Sequence, residues 1–237
     1  MFGLGTIINV GAILLGGIIG ALFGKFLKES LQSSLVKATG ICVMFIGISG
    51  ALEKIMTVSD GKLTSGGTLM MICSMALGTL IGELIDIEGK IERFGEWLKK
   101  KTGNAKDNLF VEGFVSASIT FCVGAMTVVG SINDGLFRDY SILLVKSLLD
   151  FIIVIVMTSS IGKGCIFSAI PVLILQGGFT LGAKLIEPYM TDMALNNLSL
   201  VGSILIFCVG LNLFRKNSVK VANMLPAIVI AVVWAFF

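Results

Sequence analysis

An all-α integral membrane protein is what this sequence predicts, and three observations carry that prediction. Of 237 residues, 55% are hydrophobic and only 14% are charged. The mean hydropathy of +0.97 is far above that of an ordinary soluble domain. Apolar runs recur at the roughly 17–25-residue length a helix needs to cross the hydrocarbon core. Finally, Gly16-x-x-x-Gly20 returns as Gly78-x-x-x-Gly82 and as Gly178-x-x-x-Gly182, each within such a run, and this spacing of small residues lets membrane helices approach closely.

Eight apolar runs are expected to span: about 5–24, 36–52, 66–86, 113–132, 141–161, 164–185, 199–214 and 219–237. Residues 1–237 thus read as a single transmembrane domain with no soluble domain left over. The first run has no basic segment before it and no small-residue cleavage site after it, so it is expected to be span 1 and not a signal peptide. Lys and Arg set the orientation, because cytoplasmic loops retain positive charge. With the N-terminus outside, Lys25, Lys28, Lys37, Lys90, Arg93, Lys99, Lys100, Lys101, Lys106, Lys163, Arg215, Lys216 and Lys220 fall inside. Only Lys54, Lys62, Arg138 and Lys184 fall outside, and Lys146 stays within the membrane. Thirteen against four places both termini on the outer face. The net charge of +3 is therefore a topology signal; no basic patch interleaved with aromatics supports nucleic-acid binding.

The repeat extends past its glycines. Gly5-Thr6-Ile7-Ile8 through Leu15-Gly16-Gly17-Ile18-Ile19-Gly20 aligns without a gap to Gly67-Thr68-Leu69-Met70 through Leu77-Gly78-Thr79-Leu80-Ile81-Gly82. A constant offset of 162 carries Gly16 to Gly178, Gly20 to Gly182, Gly40 to Gly202 and Phe45 to Phe207. Phe121-Cys122-Val123-Gly124 in span 4 repeats as Phe207-Cys208-Val209-Gly210 in span 7. The unit is a hairpin of a GxxxG helix and a Phe-Gly helix, and the copy in spans 6 and 7 runs inverted, as in many secondary transporters. Gly16, Gly20, Gly78, Gly82, Gly178 and Gly182 are expected to be helix-packing positions.

Between spans 3 and 4 lies the long polar stretch 87–112. Ile87, Ile91, Phe94 and Leu98 share a helical face, and Glu88, Lys90, Glu92, Arg93, Glu96 and Lys99 to Lys101 fill the rest. This predicts an amphipathic helix on the cytoplasmic interface, with Trp97 at headgroup depth. It reads either as an anchoring strut or as a gating element.

The five cysteines, Cys42, Cys73, Cys122, Cys165 and Cys208, fall in or beside apolar helices with no C-x-x-C spacing, and read as packing residues. There is no histidine, which removes the commonest metal ligand and general base. No metal or cofactor is expected. Polar residues inside the hydrocarbon are the functional candidates, because each is costly unless paired or wetted. Lys146 and Asp150 are four residues apart in span 5 and can share a face, either as a lock between helices or as a titrating or cation-binding carboxylate with its partner. Ser131-Ile132-Asn133-Asp134-Gly135 reads as a polar turn before span 5 whose residues, Asn133 and Asp134 among them, could cap span 4 and leave carbonyls facing a cavity. Asn9 and Asn223 near the starts of spans 1 and 8, Gln176 in span 6 and Asn212 in span 7 complete the set. Asn223 followed by Pro226 reads equally as a solute or ion contact and as a hydrogen bond plus kink.

Several strings are similar to the signature of one bacterial family. They are Gly5-Thr6-Ile7-Ile8-Asn9, Phe110-Val111-Glu112-Gly113-Phe114, Phe121-Cys122-Val123-Gly124-Ala125-Met126, Val129-Gly130-Ser131-Ile132-Asn133-Asp134-Gly135-Leu136, Lys146-Ser147-Leu148-Leu149-Asp150, Phe167-Ser168-Ala169-Ile170-Pro171 and Ala222-Asn223-Met224-Leu225-Pro226-Ala227. Over essentially its whole length the chain resembles the multipass membrane proteins grouped as domain of unknown function 554, the YqgA/YdfK-like family. The resemblance implies a bacterial cytoplasmic-membrane protein, sometimes labelled a possible transporter, and brings no substrate or catalytic residues.

The expected function is transport of a small solute or ion through a midplane site between inverted hairpins. The alternative is a membrane scaffold or regulatory subunit that uses GxxxG faces for association, including with its own copies. An intramembrane enzyme is not expected: Asp150 has no second deep aspartate, serine chemistry would lack histidine as base, and zinc chemistry would lack its usual ligands. The lipid bilayer is the one partner composition requires.

Overall fold

The computed structural model describes residues 3–24, 26, 28–59, 62–104, 107–123, 125–215 and 218–237. Gly124, and Lys25, Lys106 and Lys216 of the charge asymmetry, lie outside them. In chain order the helices are α1 (Leu4–Gly24), α2 (Glu29–Ile55), α3 (Thr68–Ile85), α4 (Ile87–Lys101), α5 (Phe110–Cys122), α6 (Ala125–Phe137), α7 (Ser141–Ile161), α8 (Ala169–Leu181), α9 (Ala183–Ile186), α10 (Asp192–Phe214) and α11 (Pro226–Trp234). Short 3-10 segments, Lys163–Ser168 and Val221–Met224, lead into α8 and α11. Between α2 and α3, β1 (Met56–Ser59) and β2 (Lys62–Ser65) pair as an antiparallel hairpin.

Six helical segments among the described residues are long and apolar enough to cross a membrane: Leu4–Gly24, Ser33–Ile55, Thr68–Ile85, Ser141–Ile161, Lys163–Leu181 and Asp192–Phe214. The other two predicted spans depart from a plain helix. The fourth is two helices, Phe110–Cys122 and Met126–Phe137, bent by 60°. The eighth contributes a shorter apolar helix, Val221–Trp234, in which Pro226 supplies no backbone donor and sits where a helix tolerates that, at the first turn of α11. The stretch Ser131 to Gly135 is not a turn. It belongs to α6, which continues to Phe137; the chain reverses only at Arg138, whose φ of 58° is left-handed. Ser141 then starts α7, its backbone N–H donating to Asp139 Oδ1 at 3.0 Å.

The chain divides into two compact units. Unit 1 comprises Met1–Thr39, Lys90–Cys122 and Met126–Glu187; unit 2 comprises Gly40–Gly89, Val123–Ala125 and Pro188–Phe237.

In unit 1, α1 lies along α7 in a parallel register set by glycine. A Cβ added at Gly5 would sit 2.7 Å from Leu143, one at Gly16 2.7 Å from Val154, and one at Gly20 2.5 Å from the Ile155 carbonyl. Contacts this short exclude any larger side chain unless the backbone moves. α8 runs against α1, since Gly17 packs on Ile166 while Thr6 meets Thr180. Where α4 joins α5, Leu98, Phe110 and Phe114 form a buried cluster with Ile91, Val111, Val115, Phe167 and Ile170 around it. The rest of the apolar stripe of α4 stays partly exposed, with Phe94 stacked on Trp97 at 5.7 Å between ring centroids.

In unit 2, α3 packs antiparallel on α11: a Cβ at Gly78 would strike Ala227, and one at Gly82 would strike the Asn223 backbone. α2 and α10 cross where Gly40 meets Gly210 and where Gly47 meets the backbone of Ser203 and Phe207. Met70, Leu200, Val201, Ala227 and Ala231 form the core of this unit.

The third glycine pair behaves differently from the first two. A Cβ at Gly178 would meet nothing within 4 Å, and one at Gly182 would meet first the Gly178 carbonyl of its own helix at 3.0 Å. α8 buries Val172, Gln176 and Thr180 instead, so its glycine stripe is not the close-packing face the repeat predicts.

Candidate functional site

Lys146 and Asp150 lie on one face of α7, where 3.6 residues per turn stacks positions four apart. They form a salt bridge within unit 1, and each side chain is 7% exposed. Neither is offered to lipid. The Asn9 amide of α1 lies beside the Asp150 carboxylate, a position it reaches because Gly5, Gly16 and Gly20 bring α1 against α7. Its own amide atoms are buried and make no aligned hydrogen bond among the described residues. The Phe121 ring, in the last turn of α5, stands 6.0 Å from Lys146 Nζ, a separation at which a ring face attracts an ammonium.

A second polar group lies about one turn of α1 away, on the side of Thr6. Asp134 on α6 is fully buried, and its Oδ2 accepts the Gly5 N–H at 2.9 Å, which satisfies a free donor in the first turn of α1. Its Oδ1 has no partner among the described residues, and neither does the hydroxyl of Ser131 one turn earlier on α6. The hydroxyls of Thr6 and Thr180 stand 3.5 Å apart. In the register fixed by Thr6 with Thr180 and Gly17 with Ile166, Gln176 falls opposite the turn of α1 that carries Asn9. Gln176 is fully buried, and both of its amide atoms are unpartnered.

The bend between α5 and α6 comes one residue after Phe121. A helix that ends inside a membrane leaves its last carbonyls without intrahelical donors. Thr127 meets part of that demand, its hydroxyl donating to the Phe121 carbonyl at 3.3 Å. The helices on either side of the bend, Phe110–Cys122 and Met126–Phe137, a buried ion pair and several unspent amide and hydroxyl groups thus share unit 1.

The remaining candidates lie elsewhere. Asn133 is half-buried on α6, and its carbonyl accepts the Asp139 N–H. Asn212 is a loop clamp: its Nδ2 donates to the Val219 carbonyl at 2.6 Å and its Oδ1 accepts the backbone N–H groups of Ser218 and Val219. Asn223 accepts the Glu88 N–H at 2.7 Å, while Glu88 Oε2 accepts the Ala222 N–H at 3.0 Å. That reciprocal exchange fixes the start of α4 against the turn before α11. Asn212 and Asn223 therefore hold backbone in unit 2 and do not join the cluster of unit 1. Thr6, Thr180 and Phe121 were missed by the sequence reading. The signal was available for two of them, since Thr6 precedes Asn9 by three residues and Thr180 follows Gln176 by four, which puts a polar stripe on two otherwise apolar helices.

All five cysteines are free. Among the described residues no group of three His, Cys, Asp or Glu side chains could hold a metal. Outside the spans, the Ser141 hydroxyl and backbone N–H hold the Asp139 carboxyl below the usual carboxylate range. The Glu83 carboxylate, 3.1 Å away, raises the Lys220 ammonium above the ordinary lysine value.

A multi-pass, all-helical membrane protein is the class this architecture defines. More particularly, residues 4–236 match the family described as Protein of unknown function (DUF554), and the chain belongs to that family. The protein named uncharacterized membrane protein YdfK of Bacillus subtilis (strain 168) is 32% identical over 232 residues, covering 98% of this chain and 95% of that protein. The protein named uncharacterized protein YqgA of Escherichia coli (strain K12) is 31% identical over 235 residues, covering 96% of this chain and 94% of its own. No solved structure matches the chain at a significant level.

Proposed function

We propose that the protein is a transporter of a small solute or ion, with its binding site in unit 1 around Lys146, Asp150, Asn9 and Gln176. One observation carries this reading: the buried amide atoms of Gln176 have no partner among the described residues in the unit that also buries the Lys146–Asp150 pair with the Asn9 amide beside it. Buried polar atoms are nearly always satisfied, and unspent donors and acceptors beside an intramembrane charge pair are what a polar solute needs. The 60° bend between α5 and α6 supports the reading, because interrupted helices line the sites of many transporters. In this proposal the bent pair counts as one crossing and Val221–Trp234 belongs to another, eight in all, with both termini outside. The antiparallel packing of α1 and α8 supports a site between inverted repeats. α4 lies on the cytoplasmic interface of a bacterial plasma membrane, with no cofactor or enzymatic step.

The test is a thermal-shift screen of purified protein against small solutes and ions, followed by flux of the hits into proteoliposomes. A solute that stabilises the parent and is carried by it, with both effects lost in Asp150→Asn, is expected. A folded Asp150→Asn variant with parental flux would exclude the pair from the pathway.

A second reading is favoured by one specific feature. The open face at Gly177 and Gly178 is shaped for a close helix contact that none of the described residues makes, so α8 is the surface through which a scaffold or a homo-oligomer would assemble.

A further inference from the structure

We propose that Asp134, Ser131, Thr6 and Thr180 form a binding site for one monovalent alkali cation, sodium first, where α1, α6 and α8 meet. Ion binding itself stands without transport; only a coupling role for the ion would rest on the reading above.

The charge count comes first. Asp134, Lys146 and Asp150 are all buried in unit 1, and Lys146 is committed to Asp150. The ion pairs among the described residues do not include Asp134. When ionised, its carboxylate carries a negative charge that the Gly5 N–H can solvate but cannot neutralise. A buried charge without a counter-charge is strongly destabilising. One positive charge restores the balance, which selects a monovalent over a divalent ion.

The geometry then supplies ligands. Asp134 Oδ1 and Ser131 Oγ are buried and unpartnered, and they sit one turn apart on the same face of α6. Across the junction the Thr6 and Thr180 hydroxyls stand at 3.5 Å, the outer limit of a hydrogen bond, so each has lone pairs to offer. The Thr180 carbonyl faces the junction as well, because a Cβ at Gly135 would strike it. The set is oxygen throughout, with one carboxylate and neutral hydroxyls and no thiol or imidazole. Hard cations take such ligands and soft transition metals do not.

The experiment is thermal unfolding of the purified full-length protein in detergent at fixed pH and ionic strength, with sodium chloride replacing choline chloride. The expected result is a saturable rise in Tm of roughly 5 °C in sodium that Asp134→Asn abolishes, although Asn keeps an oxygen for the Gly5 N–H. Ser131→Ala and Thr180→Val should each weaken the apparent sodium affinity by about tenfold. Equal melting of the parent in sodium and choline overturns the proposal, and so does a full sodium rise in Asp134→Asn. If Asp134→Asn does not fold, the Ser131→Ala titration decides, and an unchanged affinity there counts against the site. A sodium-specific rise in a protein that carries no solute would leave the ion site standing and remove the transport reading instead.

Discussion

In unit 2 several polar side chains that face inward are engaged with backbone, although Asn223 Nδ2 is buried without a hydrogen-bond partner among the described residues. Asn212 holds two N–H groups and a carbonyl of the loop that follows α10, Asn197 donates to the Ala231 carbonyl at 3.1 Å, and Asn223 takes the Glu88 N–H. In unit 1 the same residue types hold almost nothing. Gln176 is completely buried with both amide atoms unpartnered among the described residues, Asn9 is buried with its amide beside the Asp150 carboxylate, and Asp134 keeps one oxygen unspent. The two units also treat a lysine–carboxylate pair differently: Lys146 with Asp150 is buried in unit 1, whereas Lys220 with Glu83 is 62% and 45% exposed in unit 2. Unit 2 uses polarity to close its loops. Unit 1 keeps more of its polarity unspent, which in the proposed reading is reserved for a ligand.

The largest test of this contrast is the pair of ion pairs. Asp150→Leu alone leaves the Lys146 ammonium buried and should destabilise the protein by about 3–5 kcal/mol. The double change Lys146→Met with Asp150→Leu removes both charges and should recover most of that loss without restoring flux. Glu83→Gln, at an exposed pair, should melt like the parent. Chemical denaturation in detergent reads all three, and a double variant as unstable as the single would mean that the pair is held by more than its mutual charge.

Glycine gives the next largest effect. Gly20→Leu should overpack α1 against α7, and Gly82→Leu should drive α3 off the Asn223 backbone, each costing on the order of 1–3 kcal/mol or more. Gly178→Leu enters open space and should leave the monomer's melting unchanged. If Gly178→Leu instead dissociates an oligomer seen by size exclusion, α8 is an association surface and the second functional reading gains.

Much of this architecture was legible in composition and spacing. Runs of apolar residues located every long helix, and the GxxxG glycines Gly16, Gly20, Gly78 and Gly82 lie where an added Cβ would strike a neighbouring helix. The same motif misled at Gly178, because glycine spacing says which face can pack and cannot say whether a partner is there; Gln176 and Thr180 turned α8 the other way. The bend after Cys122 was hidden inside a continuous apolar run, where hydropathy gives no sign of a change in direction. The hairpin of β1 and β2 had a signal that was passed over, an Asp60-Gly61 pair between short runs rich in β-branched residues. At the site, Lys146 and Asp150 were visible because charge in an apolar span is rare. The division of labour among the amides was not, since Asn9, Gln176, Asn212 and Asn223 look alike in sequence and only the neighbours of each decide whether its atoms are spent.

That division sets the smallest and most discriminating prediction. Removing Asn212 with Asn212→Ala strands two backbone donors and an acceptor, so it should cost about 1–3 kcal/mol while leaving the parental response to any solute intact. Gln176→Leu removes two amide atoms that have no protein partner and fills the same space with an apolar group. Such a change should be neutral or slightly stabilising, within about 0.5 kcal/mol of the parent. Its effect should appear instead in function, as a loss of solute-dependent stabilisation or flux. Melting curves with and without the best hit of the solute screen separate the two variants. A Gln176→Leu protein that is markedly less stable than the parent would mean that the amide is already satisfied, by water or by a neighbour, and the reserve of polarity assigned to unit 1 would shrink to Asn9 and Asp134.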